Sequence, residues 1–178
     1  MTVLEPDALA GDNSRIDDAW AYALEAYINT VSKVPDVVVC PQITSPLRKP
    51  SDVTNAVVRF IEGNYDSMMS VVHAKDLCLW QPVEDGVLNP VVPECLMLNR
   101  KRQRFPTRVI ENGSLYLFKP WVLKQNATFL NVSGTAQRFA GKLGTYEMKS
   151  WQLPEIDEPD DCALCEVLLM AYLKGDLL

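Results

Sequence analysis

Val37-Val38-Val39-Cys40-Pro41-Gln42-Ile43-Thr44-Ser45-Pro46-Leu47-Arg48 is the stretch on which the reading of this chain turns. Its first four residues are a short apolar, mostly β-branched run, and a polar, Pro-punctuated turn follows. That order predicts a buried parallel strand emptying into a loop at its carboxyl end. In open α/β sheets this edge is where ligands bind. The turn carries the amide of Gln42, the hydroxyls of Thr44 and Ser45 and the guanidinium of Arg48, a set suited to a polar, anionic small molecule. The plainer alternative is an ordinary strand-to-helix turn.

Downstream, Pro50-Ser51-Asp52 opens a helix whose buried side is Val53, Ala56, Val57, Phe60 and Ile61, with Gly63 as its stop. Ser67 to Val72 reads as the next buried strand. Strand, helix, strand in this order predicts a βαβ unit with a right-handed crossover. Upstream, a helix starts near Asn13 or Ser14 and lines up Ile16, Trp20, Leu24, Tyr27 and Ile28 on one face. From Cys78 to about Arg104 the pattern changes. Pro82, Pro90 and Pro93 punctuate it, and Glu84-Asp85-Gly86 is a hairpin signal between Leu79-Trp80 and Val87-Leu88. Ser114 to Phe118 and Leu143 to Met148 read as strands, Pro120 to Gln125 as a short helix, and Pro159 to Lys174 as a terminal helix closed by Gly175.

With 178 residues the chain is read as one α/β domain, residues 1–178. Hydrophobic content of 48% and charged content of 22% are those of an ordinary globular protein. A net charge of -6 argues against general nucleic-acid or membrane-surface binding. No apolar run is long enough to cross a bilayer, and the first residues lack the layout of a secretion signal. The five scattered cysteines suggest reduced thiols and a cytoplasmic location. Cys162 and Cys165 lie one turn apart in the terminal helix, where core packing is favoured over a redox or zinc role. His73, the one histidine, is read as structural or loop-facing.

Two further constellations carry chemistry. Glu155 and Asp157, two apart in an extended segment, point to the same side and are able to converge on a hard cation such as Mg²⁺. Alternatively they only favour the amino terminus of the last helix, with Asp160 and Asp161. The run Arg100, Lys101, Arg102, Arg104 and Arg108 is basic within an acidic protein. A guanidinium there is able to grip a carboxylate through two parallel hydrogen bonds; a solvated loop or a contact with an acidic partner is the other reading.

Three separated motifs in order, Gln42-Ile43-Thr44-Ser45-Pro46-Leu47-Arg48, then Arg102-Gln103 with Glu111-Asn112-Gly113-Ser114-Leu115-Tyr116, then Glu155-Ile156-Asp157, resemble those of the acylneuraminate cytidylyltransferases. The resemblance runs from about Leu9 to the final helix. It implies a Rossmann-like three-layer sandwich with a mostly parallel sheet, of the nucleotide-diphospho-sugar transferase type. It implies CTP and an acidic nine-carbon sugar as substrates, and a homodimer whose arm is the excursion at residues 78–108; apolar Leu96, Met97 and Leu98 suit either contact residues there or a local core. Carried over motif by motif, Asp157 with Glu155 holds Mg²⁺, and Asp157 and Arg102 are catalytic. Gln42, Thr44, Ser45, Arg48, Arg102, Asn112 and Tyr116 bind substrate.

The chain departs from the family pattern in four places. Glu155 stands where the family has Asp, Ile43 replaces a Pro, Gln81 or Trp80 replaces a lysine, and Ile110 replaces a second arginine. Nothing in Met1 to Asp36 matches the Gly-rich basic loop that wraps the nucleotide, which reads as truncation at the amino terminus. The expected activity is therefore nucleotidyl transfer to a sialic-acid-like sugar. The alternatives are a non-catalytic sugar-binding or dimerising remnant, and a synthetase for a related acid sugar such as Kdo.

Overall fold

A computed structural model describes residues 1–11, 14–74, 79–84, 86–96, 107–126 and 138–177. Strands β1 (Val38–Pro41), β2 (Ser67–His73), β5 (Val109–Phe118) and β6 (Leu143–Met148) form one sheet in the order β1-β5-β2-β6. Helices α1 (Ile16–Val31), α2 (Pro50–Glu62), α3 (Pro120–Asn126) and α4 (Pro159–Lys174) accompany it, and β3 (Trp80–Glu84) with β4 (Val87–Pro90) makes a separate hairpin.

The expected mostly parallel sheet needs correction. β5 pairs antiparallel with both β1 and β2, and only β2 and β6 pair in parallel. β1, β2 and β6 do run in one direction, as the strand-helix-strand order predicts. The late strand β5 wedges between the first two and runs against them. Hydrophobic runs mark strands as buried on both faces, but they carry no information about which neighbour a strand takes.

Alternation along β5 builds the core on both sides of the sheet. Tyr116 and Phe118 face Ala21 and Leu24 of α1 and Val122 and Leu123 of α3, and Cys40 joins this cluster. Leu115 and Leu117 face the other way, onto Ala56 and Phe60 of α2, together with Met68. The sheet thus lies between helices, a mixed α/β architecture. Trp20 packs on Tyr116 and Phe118 with ring centroids 5.5 and 5.9 Å away, so the first face is largely aromatic.

Each helix obeys its sequence signals with some exceptions. α1 begins at Ile16, after Arg15, and Ser14 instead accepts a hydrogen bond from the Gly11 amide. Pro50 starts α2, and the Asp52 carboxylate takes the Lys49 amide at 2.8 Å. Ile61 was expected on the buried side of α2 but is exposed, because only the stripe through Ala56 and Phe60 meets the sheet. α4 touches the body along a narrower stripe still. Cys165 is buried, but Cys162 is exposed, which corrects the expectation that both pack in the core. One helical turn does not keep two residues on a stripe this narrow. Cys78 lies outside the described residues.

The hairpin pairs the two expected strands, and Leu79, Val83, Val87, Leu88, Val91 and Leu96 are exposed; Asp85 of the expected turn lies outside the described residues. Met97 and Leu98 lie outside the described residues. No helix among the described residues is long and apolar enough to cross a membrane.

Phe60 is 2% exposed and its ring fills the α2 side of the sheet. Phe60→Ala is expected to cost about 3–5 kcal/mol of unfolding free energy, read by urea titration with an unchanged m-value.

Candidate functional site

The site is built where β5 loses its pairing register. Met69 faces Tyr116, but Val71 already faces Glu111, so a four-residue stretch of β5, from Asn112 to Leu115, bulges past Ser70. Ser70 Oγ compensates by accepting the Leu115 amide at 2.8 Å. Bulges of this kind re-aim side chains near binding sites. Gly113 sits in the bulge at φ +59°, a left-handed conformation that glycine adopts without steric cost. The missing side chain also makes room: a Cβ at Gly113 would run into the Glu155 carboxyl group.

The bulge receives the turn that follows β1. The Gln42 amide donates to the Ser114 carbonyl at 3.1 Å. Arg48 then folds back, and its Nη1 donates to Ser114 O at 2.6 Å, Ser114 Oγ at 3.1 Å and Gln42 O at 3.1 Å. One guanidinium nitrogen therefore ties the turn to β5. Burial lowers the Arg48 pKa, and nearby Asp52 opposes that shift. Sequence reasoning assigned Arg48 to substrate; in the fold its Nη1 is engaged with the protein itself.

The late acids reach the same place. Ile156 donates its amide to Thr44 O at 2.8 Å, and Thr44 Oγ1 lies 3.5 Å from Glu155 Oε2. The turn at 42–48, the bulge of β5 and the segment Glu155–Asp157 thus meet, although they are far apart in sequence. Glu155 is half-buried and Asp157 exposed. Burial raises the Glu155 pKa, and the charges of Asp157 and Glu111 raise it further, while Thr44 opposes them. These carboxylates therefore repel one another, a condition that a cation relieves.

Magnesium takes oxygen ligands, and Glu155 and Asp157 are the paired carboxylates at this junction. Among the described residues no group of three His, Cys, Asp or Glu side chains is placed to hold a metal. Two carboxylates in mutual repulsion are nonetheless a sufficient protein contribution for Mg²⁺, which usually completes its shell with water and phosphate oxygens.

The remaining expected site residues differ in their surroundings. Tyr116 is buried, and its hydroxyl donates to Glu111 Oε1 at 2.6 Å; burial and this carboxylate push its pKa up. Ser45 is buried, and its Oγ finds no hydrogen-bond partner among the described residues. Asn112 is 1% exposed, and its Nδ2 donates to Gln152 O at 3.1 Å and to Met148 Sδ at 3.4 Å. Its Oδ1 has no partner among the described residues. Arg102 lies outside the described residues, as do Arg100, Lys101 and Arg104.

Sequence reasoning missed a charged set on the Tyr116 face. Arg138 pairs with buried Asp17 through two bonds of 3.1 and 2.9 Å. Its guanidinium carbon lies 5.4 Å from the centre of the Tyr116 ring and 5.8 Å from that of Trp20. Asp17 stands in the first turn of α1. No local pattern links it to a residue so distant in the chain.

No family model matches the chain. It is similar to N-acylneuraminate cytidylyltransferase A of Danio rerio, with 33% identity over 147 residues. The match covers 79% of this chain and 31% of that protein, so the chain corresponds to about a third of the relative's length.

Two substitutions probe the contact between bulge and acids. Gly113→Ala is expected to cost about 1–2 kcal/mol through the left-handed backbone and to expel the Glu155 side chain, visible in a crystal structure. Glu155→Gln is expected to raise the melting temperature at neutral pH. The raised pKa means that the folded state holds its proton more tightly than the unfolded chain. Glu155 therefore lowers stability above its ordinary pKa of about 4.3 and does so no longer below it. The gap between variant and wild type should accordingly close as the pH is lowered below about 4 in a thermal-melt series.

Proposed function

We propose that this chain carries the sugar- and metal-binding part of a cytidylyltransferase that activates a sialic-acid-like nonulosonic acid with CTP. The observation that supports it is the junction of the Gln42–Arg48 turn, the Glu111–Tyr116 bulge and the Glu155–Asp157 acids. These belong to the motifs that resemble the family, and they meet at one end of the sheet; the Arg102-Gln103 part of the second motif lies outside the described residues. The similarity to a protein named for this activity supports the same reading. It also favours a Rossmann-like architecture of the nucleotide-diphospho-sugar transferase type. Its departure from mostly parallel pairing is the strand β5 wedged between β1 and β2.

In the reaction the anomeric hydroxyl of the sugar attacks the α-phosphorus of CTP, and pyrophosphate leaves as the P–O bond to the β-phosphate breaks. The hydroxyl proton is lost to solvent or to a nearby base. Positioning and charge neutralisation account for most of the catalysis in such transfers. Asp157, with Glu155, would hold Mg²⁺, which supplies charge to the phosphates and acidifies the attacking hydroxyl. Gln42, Thr44 and Ser45 would line the sugar pocket, with the unsatisfied Ser45 Oγ as a ready polar contact. Tyr116 would shape the pocket wall, its hydroxyl held by Glu111. Arg102 would grip the sugar carboxylate. Asn112 would act from beneath, since its buried amide is turned towards Gln152. Arg48 would act through the turn it ties down rather than through its Nη1. The exposed apolar hairpin would serve as the arm of a homodimer.

Pyrophosphate release from CTP, assayed with Mg²⁺ and a panel of acid sugars on the chain supplemented with a nucleotide-loop segment of the family, tests the reading. Release with a nine-carbon acid sugar is expected, and Asp157→Ala should abolish it while circular dichroism and melting temperature are retained. Unchanged release in Asp157→Ala would remove the metal assignment. A preference for Kdo would move the substrate to the eight-carbon acids. Sugar binding by calorimetry without release would replace the enzyme with a binding module.

A further inference from the structure

We propose that Gln152 is the positioning residue that holds Glu155 and Asp157 against the turn at 42–48. It is 2% exposed, an unusual burial for a glutamine, and all of its polar groups are engaged. Nε2 donates to Leu47 O and to Asp52 Oδ2, both at 2.8 Å. Oε1 accepts the Lys149 amide at 3.1 Å. The main-chain carbonyl accepts Asn112 Nδ2 at 3.1 Å. One residue thereby connects the turn after β1, the start of α2, the bulge of β5 and the end of β6.

The consequence for the acids follows from chain length. Gln152 closes a short 3-10 turn, Ser150–Gln152, and Glu155 lies three residues further on. Between Gln152 and α4, the Ile156 amide, on Thr44 O, gives the segment a main-chain bond to the turn. The acids are therefore held to one loop at two of its carbonyls, Leu47 O through Gln152 and Thr44 O through Ile156, beside the longer Thr44 Oγ1–Glu155 Oε2 contact. A carboxylate pair that must meet a metal within a few tenths of an ångström needs both. Asp52 makes the amide specific. Its Oδ2 already accepts the Lys49 amide and its Oδ1 the Tyr146 hydroxyl at 3.2 Å. A glutamate at 152 would set a second carboxylate against it and would lose both donated bonds.

The functional meaning of this inference rests on the reading of the site given above, but its test does not. Native-state hydrogen exchange on the whole chain follows the amides of Lys149, protected by Gln152 Oε1, and of Ile156, protected by Thr44 O. In the wild-type protein the two are expected to exchange through one local opening, with the same dependence on denaturant. In Gln152→Met the protection of Ile156 relative to Phe118 should fall about tenfold or more, and further in Gln152→Glu. Val122→Ala, which weakens the opposite face of the sheet, should leave that ratio unchanged. Independent opening of Lys149 and Ile156, measured in the wild type alone, would overturn the proposal even if the variants fail to fold. An unchanged ratio in Gln152→Met would overturn it as well. If the chain releases pyrophosphate, Gln152→Met should weaken its Mg²⁺ dependence by about tenfold to a hundredfold. If it does not, the proposed function fails while the exchange result still decides the role of Gln152.

Discussion

A glycine held at φ +59° in the middle of a strand is the constraint on which the site depends. Gly113 allows β5 to bulge past Ser70 and return to register at Tyr116. The bulge presents the Ser114 carbonyl to Gln42 and Arg48 and leaves an open space that the Glu155 side chain occupies. A side chain at this position would meet the Glu155 carboxyl group, so the bulge and the late acids share this place through the glycine. The backbone irregularity is thus the origin of the site rather than a defect in the sheet.

Around that bulge the polar groups divide the work. On one face, Arg48 and Gln152 each join separate segments of backbone, and both are spent largely on the protein itself. On the other face, Tyr116, Glu111, Arg138 and Asp17 form a charged set laid over aromatic rings. Between them, Glu155 and Asp157 hold like charges close together, with Glu155 partly removed from water. Like-charge proximity costs stability, and proteins accept such a cost where a ligand of opposite charge is to be bound.

The departures from sequence expectation share a cause. Arg48 and Asn112 carry side chains of the type that grips ligands, and in sequence they are indistinguishable from substrate contacts. In the fold the Nη1 of Arg48 meets main-chain oxygens and the amide of Asn112 meets Gln152. Cys162 and Ile61 lie at helical spacing from buried residues, yet the stripe each helix buries is narrower than the pattern implies. Spacing tells which residues share a face. It does not tell how much of that face finds a partner.

The chain's own order of residues determined the elements: apolar runs made β1 and β2, Pro50 and Pro159 opened α2 and α4, and Gly175 closed the last helix. Local stereochemistry suffices for these, because each depends on neighbours a few residues away. It also marked the polar turn and the basic run, whose residue types suit an anionic ligand, and the late acids, which suit a cation. Only the tertiary structure decided that β5 would enter the sheet between β1 and β2, and that Gln152 and Arg138 would matter at all. Those outcomes depend on contacts between residues some forty to a hundred and twenty positions apart, made possible by packing both faces of one sheet, and no short-range pattern encodes them.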